Sequence, residues 1–100
     1  MALLDLTAEN FDETISQGKV FVDFWAGWCG PCKTLKPIME ELANDVSGRA
    51  VVAKVDIDAQ NALAARFRVM SIPTVILFES GVEKKRFVGL QQKETYLSEV

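Results

Sequence analysis

The chain has 100 residues, 49% of them apolar and 25% charged, with a net charge of −3. That is the length and balance of one soluble globular domain, expected to span residues 1–100 and to bury roughly 60–70% of its unfolded surface. The acidic balance gives nucleic-acid binding little support, and no apolar run approaches the ~18 residues of a membrane span. The cluster Lys84-Lys85-Arg86 reads as a solvated strand end. The opening "MALLDLTAEN" lacks a basic flank and carries Asp5 and Glu9, so no signal peptide is read there and a cytoplasmic chain is expected. A reducing cytosol disfavours a permanent structural disulfide, so a lone C-x-x-C there reads as catalytic or metal-binding.

In chain order, "LLDL" is a short strand candidate. Thr7 is placed to cap a helix running to about Ser16, with Phe11 and Ile15 one turn apart and Gly18 ending it. "VFVDFW" (20–25) is nearly all apolar, as a strand buried on both faces should be. Leu35, Ile38, Met39, Leu42 and Val46 then follow a helical period that ends near Gly48, with Pro37 inside it expected to kink the helix. "AVVAKVDI" (50–57) is a strand and "NALAARF" (61–67) a short helix. "TVILFE" (74–79) and "KKRFVG" (84–89) flank Ser80-Gly81 as a hairpin, and "QKETYLSEV" forms a final helix of about two turns, expected to be weakly held by Tyr96, Leu97 and Val100. This order of elements predicts an α/β fold, a mixed sheet of about five strands with helices on both faces.

The only two cysteines, Cys29 and Cys32 in "GWCGPCK", fall where a buried strand gives way to a long helix. Two thiols so close can form a disulfide, half a metal site or an inert packed pair. A structural zinc site normally takes four Cys or His ligands, and the chain offers two cysteines and no histidine, so no metal is expected. At a helix N-terminus, Cys29 faces unpaired N–H groups and the positive end of the helix dipole, both of which favour its thiolate. Cys32 lies one turn further in, where it is expected to be shielded, leaving Cys29 outward as the attacking sulfur and Cys32 as the resolving thiol. Pro31 suits a first helical turn, and Gly30 removes a side chain beside the reacting sulfur.

"FWAGWCGPCK", in which "WCGPC" comes after "VDFWA" and before "SIPT", resembles the thioredoxin family, and the resemblance runs from about Leu3 to the last residue. It implies a thioredoxin-like fold and a general protein-disulfide reductase with a redox-active Cys29–Cys32 disulfide. It implies no bound cofactor, recharging by thioredoxin reductase with NADPH, and oxidised proteins such as reductases and peroxidases as substrates of a monomer. By the same resemblance Asp23 is a buried carboxylate that exchanges a proton with Cys32, and Lys54 is its lysine neighbour. An acid inside "VFVDFW" is costly without a job or a partner, and burial would raise its pKa towards neutrality. Pro73 matches a cis-proline opposite the disulfide, with Ile72 before it offering backbone groups to an extended substrate. Trp28 and Gly89 match the border of a substrate groove, Trp25 a tryptophan packed near the cysteines, and Met70 lies at the rim. The Gly-Pro pair resembles the reducing members; oxidising relatives usually carry a histidine there. The alternative is a binding module that docks partners through the Trp28, Ile72 and Gly89 surface without turnover.

Overall fold

The computed structural model describes residues 3–100. Along the chain run β1 (Leu4–Asp5), α1 (Phe11–Ile15), β2 (Lys19–Trp25), α2 (Gly30–Asp45), β3 (Val51–Asp56), α3 (Asn61–Arg66), β4 (Thr74–Glu79), β5 (Val82–Val88) and α4 (Lys93–Leu97). The strands form a five-stranded sheet in the order β1-β3-β2-β4-β5. β1, β3 and β2 run parallel, and β4 and β5 join antiparallel. Among the described residues no helix is long and apolar enough to cross a membrane.

β2 lies at the centre, and its apolar run is divided between two cores. Val20, Val22 and Phe24 enter a cluster with Phe11 and Ile15 of α1 and Leu63 of α3. Phe21 enters the opposite cluster with Leu35, Met39 and Leu42 of α2 and Tyr96 of α4. The helices therefore cover both faces, and the near-continuous hydrophobicity of β2 follows from that double burial. Because strand side chains alternate, Asp23 shares the face of Phe21 and is directed towards α2.

Two element boundaries differ from the sequence expectation. The regular helix begins only at Phe11, after a turn over residues 7–10 that Thr7 caps as expected: its Oγ1 accepts the Glu9 N–H at 3.3 Å, while Asn10 Oδ1 accepts the Thr7 N–H at 2.7 Å. β5 begins at Val82: Ser80 and Gly81 both have positive φ, at 51° and 85°, so a two-residue turn lets Glu79 pair directly with Val82. Lys84, Lys85 and Arg86 thus lie within an edge strand, where charge discourages pairing with another sheet. Pro37 sits inside α2 without ending it.

The last helix is short but not loosely attached. Tyr96 is fully buried, with its ring edge-on to Phe21 and Phe87 at centroid distances of 6.0 and 5.0 Å. Lys93 reaches Asp45 of α2 at 2.8 Å, and Lys85 meets Glu99 at 2.8 Å. The Tyr96 hydroxyl has no hydrogen-bond partner, so the ring holds α4 and the hydroxyl does not. Tyr96→Ala should lower the unfolding free energy by about 3–5 kcal/mol, whereas Tyr96→Phe should unfold at an equal or higher urea concentration. An alanine variant as stable as the parent would show that α4 adds nothing to the core.

Candidate active site

β2 ends at Trp25, and residues 26–29 carry the chain over the edge of the sheet into α2. The Cys29 N–H donates to the Ala26 carbonyl at 3.2 Å. Cys29 then caps α2 in an extended conformation, its Sγ accepting the Cys32 N–H at 3.2 Å. A sulfur thus occupies the place where a capping oxygen usually satisfies a free helix N–H. Cys29 and Cys32 are joined as a disulfide. Pro31 lies in the first turn, where its missing N–H leaves no bond unmade. A side chain built at Gly30 would meet nothing within 4 Å, so the approach beside the sulfurs is open.

As whole residues in the disulfide, Cys29 and Cys32 are similarly buried, at 5% and 4% exposure. Tied together, both pack with Ala26, and Trp25, Ile57 and Ile72 close over the pair. Their surroundings differ instead. Cys29 Sγ lies 3.8 Å from the Ile72 carbonyl oxygen. Cys32 lines a cleft of about 180 Å³ that it shares with Leu3, Asp23, Trp25, Ala26 and Lys54.

Asp23 is 4% exposed, and its Oδ1 has no hydrogen-bond partner. Burial pushes its carboxyl up to about 7, and the positive charge of Lys54 opposes the rise without cancelling it. Strand register places Lys54 beside Asp23. The Lys54 ammonium nevertheless makes its ion pair with Asp5, at 3.6 Å, and sits over the Trp25 ring 5.3 Å from its centroid. Trp25 Nε1 is a further buried polar atom without a partner. Tyr96 responds to the same environment: burial, and then the Asp23 charge, raises its hydroxyl pKa.

Opposite the sulfurs, the Ile72–Pro73 peptide bond is cis. Ile72 lies outside the strand ladders, which begin at Thr74. The Pro73 carbonyl accepts the Gly89 N–H at 2.8 Å, and Gly89 has a φ of +87°, the left-handed region glycine enters without steric cost. Trp28 is 69% exposed, and its indole N–H donates to Asp58 Oδ2 at 3.0 Å. Met70, Val88 and Leu90 are also exposed apolar side chains. No group of three or more metal-ligating side chains occurs among the described residues.

A sequence model of the family described as Thioredoxin matches residues 2–100. The chain belongs to the thioredoxin family. It is 51% identical to a thioredoxin of Staphylococcus haemolyticus and 50% identical to one of Staphylococcus saprophyticus, each over the whole of this chain and 95% of the relative. A solved mutant thioredoxin from Halobacterium salinarum NRC-1 superposes with a TM-score of 0.91 at 36% identity, over 99% of this chain and 88% of that one. The fold is thioredoxin-like, and the chain is a thiol–disulfide oxidoreductase, a protein-disulfide reductase working by dithiol–disulfide exchange.

Two residues of the site escaped sequence reading. Asp58 holds the Trp28 indole, and Asp5 holds the Lys54 ammonium. Both partnerships join segments far apart in the chain, and neither acid differs in sequence from an ordinary solvated one.

The buried carboxyl carries a pH signature in stability. Near the ordinary carboxyl value of 3.8, Asp23 begins to ionise in the unfolded chain, while the folded chain keeps its proton up to about 7. Stability is therefore fully present below the unfolded value and is lost as pH rises through the folded one. Unfolding free energies from urea titration of the oxidised protein and its Asp23→Asn variant should lie close together at about pH 3.5 and diverge in favour of Asn by a few kcal/mol by about pH 8. Curves that stay parallel across this range would show that Asp23 ionises equally in both states.

Proposed function

We propose that residues 1–100 act as one domain in which Cys29 attacks and Cys32 resolves. The observation that carries this reading is the Cys29 sulfur at the N-cap of α2, receiving the Cys32 N–H at 3.2 Å. An N–H aimed at the sulfur and the positive end of a sixteen-residue helix both favour a thiolate there once the disulfide is reduced. That thiolate attacks one sulfur of a substrate disulfide, forming a mixed disulfide and expelling the other substrate sulfur as a thiolate. Cys32 then gives its proton to Asp23, directly or through water, and attacks Cys29 Sγ. The second substrate thiolate leaves, the Cys29–Cys32 disulfide forms, and two electrons have passed to the substrate.

Asp23 suits the base role because its carboxyl titrates at about 7 and lines the same cleft as Cys32. Lys54 lines that cleft too and moderates the acid by its charge. The substrate segment is assigned to the surface bordered by Trp28, Gly30, Pro31, Ile72, Pro73 and Gly89, where the Ile72 carbonyl stands 3.8 Å from the attacking sulfur. An extended peptide there would pair with Ile72 in a short strand addition. Recharging is assigned to thioredoxin reductase, with NADPH the electron source and no cofactor held by this chain. The substrates are oxidised proteins, and the setting is the cytoplasm, with the chain acting as a monomer.

The test is Cys32→Ser in two assays. The variant should lose insulin reduction with dithiothreitol. It should also accumulate dithiothreitol-releasable mixed disulfides on Cys29, because the resolving sulfur is gone. A parent protein no faster than dithiothreitol alone, with no trapped species in the variant, would favour a docking subunit without turnover.

A further inference from the structure

Asp5, Lys54, Asp23, Val75 and Phe87 are register partners in one row across all five strands. Three of these positions carry charge, in the order acid, base, acid. Lys54 stands between two carboxylates in unlike settings, Asp5 with a side chain 77% exposed and Asp23 buried. Its ammonium is paired with Asp5 at 3.6 Å, and Asp23 Oδ1 is left without a hydrogen-bond partner. The exchange chemistry needs a neighbour that accepts a proton from Cys32, and a lysine resting directly on Asp23 would hold that carboxylate ionised and weaken it as a base.

We propose that Asp5 is a positioning residue: its carboxylate holds the Lys54 ammonium on the β1 side of the row, away from Asp23. Trp25 completes the berth, with its ring under the ammonium at 5.3 Å. The other groups facing the acid do not substitute for Asp5. Cys32, Lys33 and Lys36 of α2 line the same cleft, Tyr96 of α4 feels the Asp23 charge, and Val75 of β4 is apolar. Among the described residues, Asp5 is the acid in ion-pair contact with Lys54. This inference rests on Asp23 serving as the proton acceptor, but it can be read without measuring turnover.

The experiment follows the Asp23 side-chain carboxyl carbon by NMR titration of the oxidised protein at low salt. Asp5→Asn should lower the Asp23 midpoint by about 0.3–0.7 pH units, the range an exposed ion pair supports. Asp5→Glu should keep the parent midpoint, since it can still pair with Lys54. Lys54→Met should raise the midpoint, and Asp5→Asn added to Lys54→Met should move it no further. About 0.5 M salt should shrink the effect of Asp5→Asn. A midpoint that is unmoved or raised by Asp5→Asn overturns the proposal. An equal fall in the Lys54→Met background also overturns it, because Asp5 would then act as a bare charge. If turnover were independent of Asp23, its role as base would fail, while the titrations would still decide what Asp5 does to Lys54.

Discussion

A carboxyl group buried at the middle of the central strand is the constraint on which the reactive end of this molecule depends. Asp23 has β3 on one side, β4 on the other and α2 above it. Nothing in that layer gives its Oδ1 a hydrogen bond. Such a group costs stability whenever it ionises, and the apolar clusters on both faces of the sheet must offset that cost. The same burial holds the carboxyl near 7, where proton exchange with a neighbouring thiol is nearly balanced at neutral pH. Stability and chemistry therefore pull the residue in opposite directions.

Two cysteines of nearly equal residue burial are made unlike by their neighbours. Cys29 stands at the end of a long helix, holds a backbone N–H and looks towards the Ile72 carbonyl. Cys32 lines a cleft that also holds the acid Asp23 and three lysines, Lys33, Lys36 and Lys54. The strand–loop–helix joint produces both settings at once, because Cys29 caps α2 and Cys32 lies in its first turn. The disulfide-exchange activity of the family needs this asymmetry: one sulfur must be stabilised as a thiolate, and the other must lose its proton on demand.

Much of this was legible in the sequence. The apolar run of "VFVDFW" marked a doubly buried strand, the helical spacing after the cysteines marked α2, and Ser80-Gly81 marked the hairpin. An acid within such a run was already anomalous on solvation grounds. What could not be read were facts of register and competition. Thr7 and Asn10 cap a turn that leads into α1, and how many residues that turn takes before the regular helix starts is not set by residue type alone. The pairing of Lys54 with Asp5, and of Trp28 with Asp58, depends on which residues stand side by side after the sheet has formed. The near-equal exposure of the cysteines follows from their packing beneath Trp25, Ile57 and Ile72, segments the local sequence does not connect.

The most direct measurement of the central claim is the pH dependence of disulfide reduction by the parent and by Asp23→Asn, at substrate concentrations well below saturation. The parent rate should rise through an inflection near 7, where the Asp23 carboxyl loses its proton. The variant should lose the Asp23 part of that rise, keeping only what ionisation of the Cys29 thiol supplies, and fall behind at neutral pH, by up to the ~10²–10⁴-fold typical of a lost general base. The gap should close in alkaline solution as hydroxide supplies the Cys32 thiolate. A variant that keeps both the inflection and the parent's neutral rate would contradict the account, and Asp23 would stand as a buried acid with no part in the exchange.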